Sequence, residues 1–178
     1  MILKEKQMKL EFNKKKLSEY ILYLSIIAAG ITFDQVTKLL AVNFLKDKPD
    51  VSIIGNFLKL SYVENTGMAF GMLKSARWIF MTVSTLAILA MLGYLLFAKN
   101  QPRLYTVSVA IIASGGIGNM IDRVSLEYVI DFISVKGFAV FNGADSFVCI
   151  GAGLLMLALV LDVIKEGKKH KAEKEKKE

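Results

Sequence analysis

Residues 78–98 have the sequence WIFMTVSTLAILAMLGYLLFA, which contains no charged side chain. A membrane-spanning helix needs about 20 mostly apolar residues, so this segment predicts one span. Three further apolar segments resemble it, at approximately residues 20–40, 104–121 and 146–164. The sequence therefore predicts a membrane protein of the all-α class, a single domain over residues 1–178 with four transmembrane helices.

The composition and the distribution of charge support this interpretation. Apolar residues make up 54% of the chain, above the roughly 45–50% of soluble proteins. The net charge of +7 lies in the tails. Residues 1–16 carry six Lys and two Glu, and residues 165–178 carry seven Lys and four Glu. Basic and acidic side chains are equal in number in the rest of the chain. A nucleic-acid-binding protein would carry this charge on a folded face, so we expect no nucleic-acid partner.

Basic tails beside apolar spans are typical of the cytoplasmic side of a membrane. Both termini and the loop 99–103, where Pro102 breaks helicity, are therefore expected in the cytoplasm. We expect residues 1–16 to be a basic tail able to lie on the inner surface as a short amphipathic helix. Residues 168–178 are expected to be disordered.

The first apolar segment also resembles a cleaved signal peptide. It follows a lysine-rich stretch, and Ala28-Ala29-Gly30 offers small residues of the kind found at cleavage sites. However, the helix pattern continues to Asp34 and Lys38, and three more spans follow. A retained transmembrane helix is therefore favoured.

The segments between spans on the outer side contain strand-like patterns. Residues 57–62 alternate between apolar and polar side chains, and residues 129–141 are rich in Val, Ile and Phe around Lys136-Gly137. These patterns predict a small β-sheet cradle at the outer surface. A tight turn at Lys136-Gly137 would place Asp131 opposite Asn142 and within reach of Asp145, although Lys is not a preferred turn residue there.

Polar and ionisable side chains beside apolar spans are functional candidates, because lipid makes them costly. The predicted topology brings such residues from four regions to the outer surface. They are Asp34, Lys38, Asn65, Asn119, Asp122, Arg123, Asp131, Asn142 and Asp145. The single cysteine and single histidine, Cys149 and His170, lie elsewhere, so we expect no disulfide framework, no metal site and no cofactor.

Paired carboxylates without such ligands are typical of an aspartic protease. Two neighbouring aspartates share one proton, since both cannot ionise cheaply. The ionised partner can take a proton from water while the protonated partner hydrogen-bonds the scissile carbonyl. The hairpin favours Asp131 as the partner of Asp145. Asp122 remains a rival, unless it forms a helix-end ion pair with Arg123.

Five motifs occur in an order that resembles the signal peptidase II family, the lipoprotein signal peptidases. They are DQVTK at 34–38, NTGMAFG at 65–71, GNMIDR at 118–123, VIDF at 129–132 and FNGADS at 141–146. The resemblance spans most of the chain. Two departures lie outside the motif residues: the connection between Asp131 and Asp145 is short for the family, and the lysine-rich amino-terminal extension is long.

The resemblance implies an aspartic endopeptidase of the bacterial cytoplasmic (inner) membrane, with its active site toward the outer leaflet. Its substrates would be prolipoproteins carrying diacylglycerol on a cysteine, cut on the amino side of that cysteine. Other implied partners are membrane lipids and globomycin-type cyclic peptide inhibitors. The implied catalytic pair is Asp131 and Asp145.

The remaining motif residues carry implied supporting roles. Asn119, Arg123 and Asn142 match positions expected to position substrate and hold the carboxylates. The positions expected to shape the outer rim and binding groove are Asp34, Lys38, Asn65 and Gly67. Asp34 has an equal alternative role in helix packing. We further hypothesise that the segment 65–71, with its two glycines, forms a mobile flap over the groove.

A transporter and an accessory membrane subunit are the two alternative functional classes. A transporter would usually show internal repeats and polar groups near the midplane, reached from both sides, whereas the polar groups here lie on one side. An accessory membrane subunit would need no carboxylate pair. Both are disfavoured by the one-sided cluster of carboxylates.

Overall fold

The computed structural model describes residues 2–67, 76–97 and 100–175. Four helices account for most of these residues. They are α1 (Ile2–Leu45), α2 (Ala76–Phe97), α3 (Arg103–Ser125) and α4 (Gly143–Glu175). Helix α3 begins directly after Pro102, which confirms the predicted break in helicity, because proline has no backbone N–H to continue a preceding helix.

Within the described ranges, three helical segments are long and apolar enough to cross a membrane. They are Lys16–Leu45, Arg103–Ser125 and Gly143–His170. A shorter apolar segment, Met81–Phe97, lies in α2. Together with the small sheet, these helices confirm the predicted class, a membrane all-α protein with a β-sheet at one end of its helices.

The two basic segments differ from the expected tails. Helix α1 already begins at Ile2, so residues 2–16 continue the first span without a break. Helix α4 runs to Glu175, so the prediction of disorder over 168–178 is wrong for residues 168–175. Lys and Glu are good helix formers, and extending an existing helix avoids the cost of nucleation.

Helix α3 packs against each of the other three helices. Small residues allow the close approach: a Cβ added at Gly118 would lie 2.6 Å from Oδ2 of Asp34. The apolar core nearer the opposite end includes Ile27, Leu95 and Ala113. The small residues of α3 therefore permit close helix packing.

The sheet is antiparallel with the strand order β1-β2-β3-β4. Its strands are β1 (Val51–Ile54), β2 (Leu58–Asn65), β3 (Val129–Val135) and β4 (Val140–Phe141). One face packs on the end of α1, where Ile130 contacts the cluster of Ala41 and Leu45. Because side chains alternate along a strand, the neighbouring Asp131 points to the opposite face.

The predicted turn at Lys136-Gly137 is present, but the predicted register is wrong by one residue. Phe138 N–H donates to the carbonyl of Val135 at 3.0 Å, while the ladder pairs Ile133 with Phe141 instead of Val140. Gly137 has a positive φ of 81° and Lys136 does not, which is the pattern of a type II turn. Turns of this type splay the two strands apart. The loop between β3 and β4 therefore contains one residue more than predicted.

Strand β1 was absent from the sequence prediction. A signal for it exists in the run Val51-Ser52-Ile53-Ile54, which precedes Gly55. Gly55 has a φ of +47°, a conformation that glycine adopts easily and that reverses the chain here. The resulting β1–β2 hairpin forms the outer edge of the sheet.

Candidate active site

Asp131 lies on β3 with only 1% of its surface exposed. Its carboxylate accepts two hydrogen bonds, from Asn65 Nδ2 to Oδ2 and from Asn142 Nδ2 to Oδ1, both at 2.7 Å. Asn65 reaches it because Asn65 pairs with Val129, which puts its side chain on the same sheet face as Asp131.

The pKa of Asp131 is raised above its ordinary value. Burial is the largest cause, and the negative charge of Asp145 raises it further. The hydrogen bonds from Asn65 and Asn142 and the charge of Lys38 oppose this rise. A carboxyl group whose pKa is raised next to a second carboxylate has the character expected of the proton-bearing member of a pair.

Asp145 belongs to a capping box at the start of α4. Asn142 lies just before the helix, and its Oδ1 accepts the N–H of Asp145 at 2.9 Å. In return, Asp145 Oδ2 accepts the N–H of Asn142 at 3.3 Å. The residues Asn142 and Asp145 thus take the first and fourth positions of the motif. The side chain of Asp145 is thereby fixed at the positive end of the helix dipole.

Asn119 on α3 connects Asp145 to the rest of the site. Its Nδ2 donates to Asp145 Oδ1 at 2.8 Å, and its Oδ1 accepts from Asn142 Nδ2 at 3.0 Å. Because Asn142 also donates to Asp131, the two amides join the two carboxylates in a continuous hydrogen-bonded chain. Together with Asn65, the structure thus brings five predicted site residues together, and they come from β2, β3, α3 and the start of α4.

Asp34, Lys38 and Asp122 form a buried ion cluster that adjoins this hydrogen-bonded chain. Lys38 Nζ lies 2.8 Å from Asp34 Oδ2 and 2.9 Å from Asp122 Oδ2, and it donates to Asn119 Oδ1 at 3.0 Å. The exposed fractions of Asp34 and Lys38 are 0% and 2%. This burial does not fit the predicted role of the two residues in shaping the outer rim, and for Asp34 it favours the alternative role in helix packing.

Asp122, the rival partner for Asp145, has different neighbours. Besides the ion pair with Lys38, its Oδ1 accepts from Gln35 Nε2 at 3.0 Å. Sequence reasoning missed Gln35, although it lies within the DQVTK motif between two singled-out residues. Its half-buried amide also donates to the carbonyl of Gly118 at 3.2 Å.

The remaining predicted residues lie at the edge of the site. Arg123 is half-buried on α3, one turn beyond Asn119. Gly67 is exposed with a φ of +74°, and its N–H donates to Asn65 Oδ1 at 2.8 Å. This bond turns the Asn65 amide so that Nδ2 faces Asp131. Residues 68–71 of the hypothesised flap lie outside the described residues.

Comparisons with known proteins point to one family. The family model described as Signal peptidase (SPase) II matches residues 26–161. A lipoprotein signal peptidase of Clostridium tetani is 39% identical over 140 residues, covering 76% of this chain and 90% of the relative. One from Caldanaerobacter subterraneus is 44% identical over 131 residues, covering 73% and 90%. A solved structure described as a bacterial membrane enzyme has a TM-score of 0.72 at 29% identity, covering 78% of this chain and 92% of its own.

Proposed function

The chain belongs to the signal peptidase II family, and we propose that Asp131 and Asp145 are the catalytic pair with which this enzyme works. As a member of that family it is a membrane-bound aspartic peptidase that removes signal peptides from bacterial prolipoproteins. The observation that carries the assignment is the chain of two amides, Asn142 and Asn119, which joins these two carboxylates.

The geometry suits a pair that shares one proton. Asp131 is more deeply buried than Asp145, and its raised pKa favours the protonated form. Asp145 receives donors from Asn119 and from the N–H of Asn142, which hold both of its carboxylate oxygens in place.

In the proposed reaction, the ionised carboxylate takes a proton from a water molecule, which attacks the scissile carbonyl. The protonated carboxyl donates a hydrogen bond to that carbonyl oxygen and stabilises the negative charge that develops there. A proton then passes from the pair to the leaving amine as the peptide bond breaks. The neutral amides of Asn119 and Asn142 hold both carboxylates in place without adding charge.

The substrate is proposed to be a prolipoprotein with diacylglycerol on a cysteine, cut on the amino side of that cysteine. The support is the position of Asp131 and Asp145 at one end of the membrane-spanning helices, beside the sheet. A substrate anchored in lipid would present a bond at this depth. Globomycin-type cyclic peptides are proposed to bind the same pair.

The test is cleavage of a diacylglyceryl-modified prolipoprotein by the purified enzyme and by Asp131→Asn and Asp145→Asn. Each variant should lose about 10²–10⁴-fold in rate, the usual contribution of an acid–base group. Asp162→Asn is the matched control: it lies about five turns further along α4 than Asp145, where its Oδ2 accepts from Tyr105. Cleavage at the parent rate by Asp131→Asn or by Asp145→Asn would contradict the assignment.

The site is also proposed to face the outer leaflet of the bacterial cytoplasmic membrane, with both termini in the cytoplasm. Basic tails support this orientation. In a Cys149→Ala background, a membrane-impermeant maleimide added to intact spheroplasts should label Lys136→Cys but not Lys168→Cys. The opposite labelling pattern would invert the proposed topology.

A further inference from the structure

The buried ion cluster lies behind the proposed catalytic pair and contacts the backbone that carries it. Asp34 Oδ1 accepts the N–H of Ala144 at 2.8 Å. Asp122 Oδ2 accepts the N–H of Ile130 at 3.1 Å. Ala144 immediately precedes Asp145, and Ile130 immediately precedes Asp131. Each carboxylate of the cluster therefore binds the backbone N–H of the residue that precedes one aspartate of the pair.

The two carboxylates are themselves joined twice. Lys38 Nζ bridges Asp34 Oδ2 and Asp122 Oδ2 at 2.8 and 2.9 Å. Gln35 Nε2 bridges the same two side chains, at 3.3 Å from Asp34 Oδ2 and 3.0 Å from Asp122 Oδ1. Lys38 and Gln35 come from the same turn of α1 as Asp34, whereas Asp122 comes from α3.

We infer that Asp34, Gln35, Lys38 and Asp122 form a clamp that sets the separation of Asp131 and Asp145. The inference rests on the proposed catalytic pair. The clamp residues are positioning residues, because they act on the reacting carboxylates through the peptide units of Ile130 and Ala144. Lys38 adds a third connection, since its bond to Asn119 Oδ1 leaves Asn119 Nδ2 to donate to Asp145.

Ordinary helix packing does not account for this arrangement. A packing contact between α1 and α3 would be served as well by apolar side chains, which avoid the cost of dehydrating three charged groups. Here every charged group of the cluster has its hydrogen-bonding partners, and two of those partners are the N–H groups adjacent to the pair. Burial of Asp34 and Lys38 also removes them from direct contact with a substrate.

A positioning role and a substrate-binding role predict different changes in kcat and KM. Loss of a substrate-binding residue raises KM, whereas loss of a positioning residue lowers kcat at unchanged KM. Lys38→Met should lower kcat by about 100-fold, the cost of displacing a catalytic group by about 1 Å. The matched control is Lys46→Met, on the chain directly after α1, because Lys46 forms an exposed ion pair with Glu64 and should retain the parent kcat.

Two milder variants keep the inference testable if Lys38→Met does not fold. Gln35→Met removes the uncharged bridge and the bond to the Gly118 carbonyl, and it should lower kcat by about 5–10-fold, the equivalent of about one hydrogen bond. Asp122→Asn retains an oxygen that can accept the Ile130 N–H, whereas Asp122→Leu retains none. Asp122→Asn should therefore keep more of the parent kcat than Asp122→Leu.

The measurement is kcat and KM for cleavage of the diacylglyceryl-modified prolipoprotein by each folded variant. A lower kcat at a KM within about twofold of the parent supports the clamp. A raised KM with the parent kcat, or parent kinetics in folded Gln35→Met, would overturn it. Either result would leave the assignment of Asp131 and Asp145 standing, because that assignment fails only if their own Asn variants remain active.

Discussion

Asn142 has two separable tasks, and one substitution removes both. Its Oδ1 caps α4 through the Asp145 N–H, while its Nδ2 donates to Asp131 Oδ1. In Asn142→Ala, loss of the cap should cost about 1 kcal/mol of folding free energy. Loss of the Nδ2 donor leaves a buried oxygen of Asp131 without this partner, which should cost about 1–3 kcal/mol. With the cap, the sum predicts a destabilisation of about 2–4 kcal/mol.

Asn142→Ser separates the two tasks. Serine caps a helix about as well as asparagine, but its side chain is too short to reach Asp131. This variant should be more stable than Asn142→Ala by about 1 kcal/mol and should still lose activity, because Asp131 lacks one donor. Since that donor favours the ionised carboxylate, its loss should raise the pKa of Asp131.

The assay combines thermal unfolding in detergent with prolipoprotein cleavage at several pH values. Both variants should cleave at least about tenfold more slowly than the parent, since one hydrogen bond of about 1.4 kcal/mol corresponds to tenfold in rate. Parent-level cleavage by Asn142→Ser would refute a role for the bond to Asp131. Equal stability of the serine and alanine variants would refute the capping box.

Three further predictions address the pH dependence, the packing and the chemistry of the site. Asn65→Leu removes a donor that lowers the pKa of Asp131, so the pH optimum of cleavage should move upward, and an unchanged or lower optimum would contradict this role. Gly118→Ala should lower both stability and activity, because its Cβ would lie 2.6 Å from Asp34 Oδ2; Gly153→Ala, with open space around it, should leave both near the parent values. Cleavage should persist in excess EDTA, since the proposed reaction uses two carboxylates and a water molecule and no step needs a metal ion, and loss of activity that is restored by a divalent cation would refute this expectation.

The sequence predicted the fold class because each apolar segment is a local signal. Length and hydropathy locate the spans without knowledge of the partners of each helix. The register of the β3–β4 hairpin could not be predicted in the same way. It depends on the backbone conformation at Lys136 and Gly137, and the Lys-Gly pair does not specify one turn type. The predicted pairing of β3 with β4 was therefore wrong by one residue. Asn142 still reaches Asp131, because Asn142 lies beyond the end of β4.

Neither the burial of Asp34 and Lys38 nor their ion pair was predicted, although the spacing of the two residues indicates the pair. Their spacing of four residues puts them on one helix face, and the ion pair at 2.8 Å follows from that spacing. The sequence does not say whether this face is directed outward or toward α3. That choice depends on Gly118, whose missing side chain leaves room for the carboxylate of Asp34, and only the packed structure shows this contact.

The proposed clamp and the proposed catalytic pair together explain why charged residues occur at this depth of a membrane protein. Breaking a buried ion pair by removing one partner costs about 3–5 kcal/mol, whereas replacing the whole cluster with apolar residues is often neutral or stabilising. Stability alone would therefore permit an apolar cluster at Asp34, Lys38 and Asp122. An apolar cluster could not accept the N–H groups of Ile130 and Ala144. A triple variant, Asp34→Leu, Lys38→Met and Asp122→Leu, should thus fold at least as well as the single Lys38→Met variant while remaining inactive. Recovery of activity in the triple variant would show that the cluster serves packing alone.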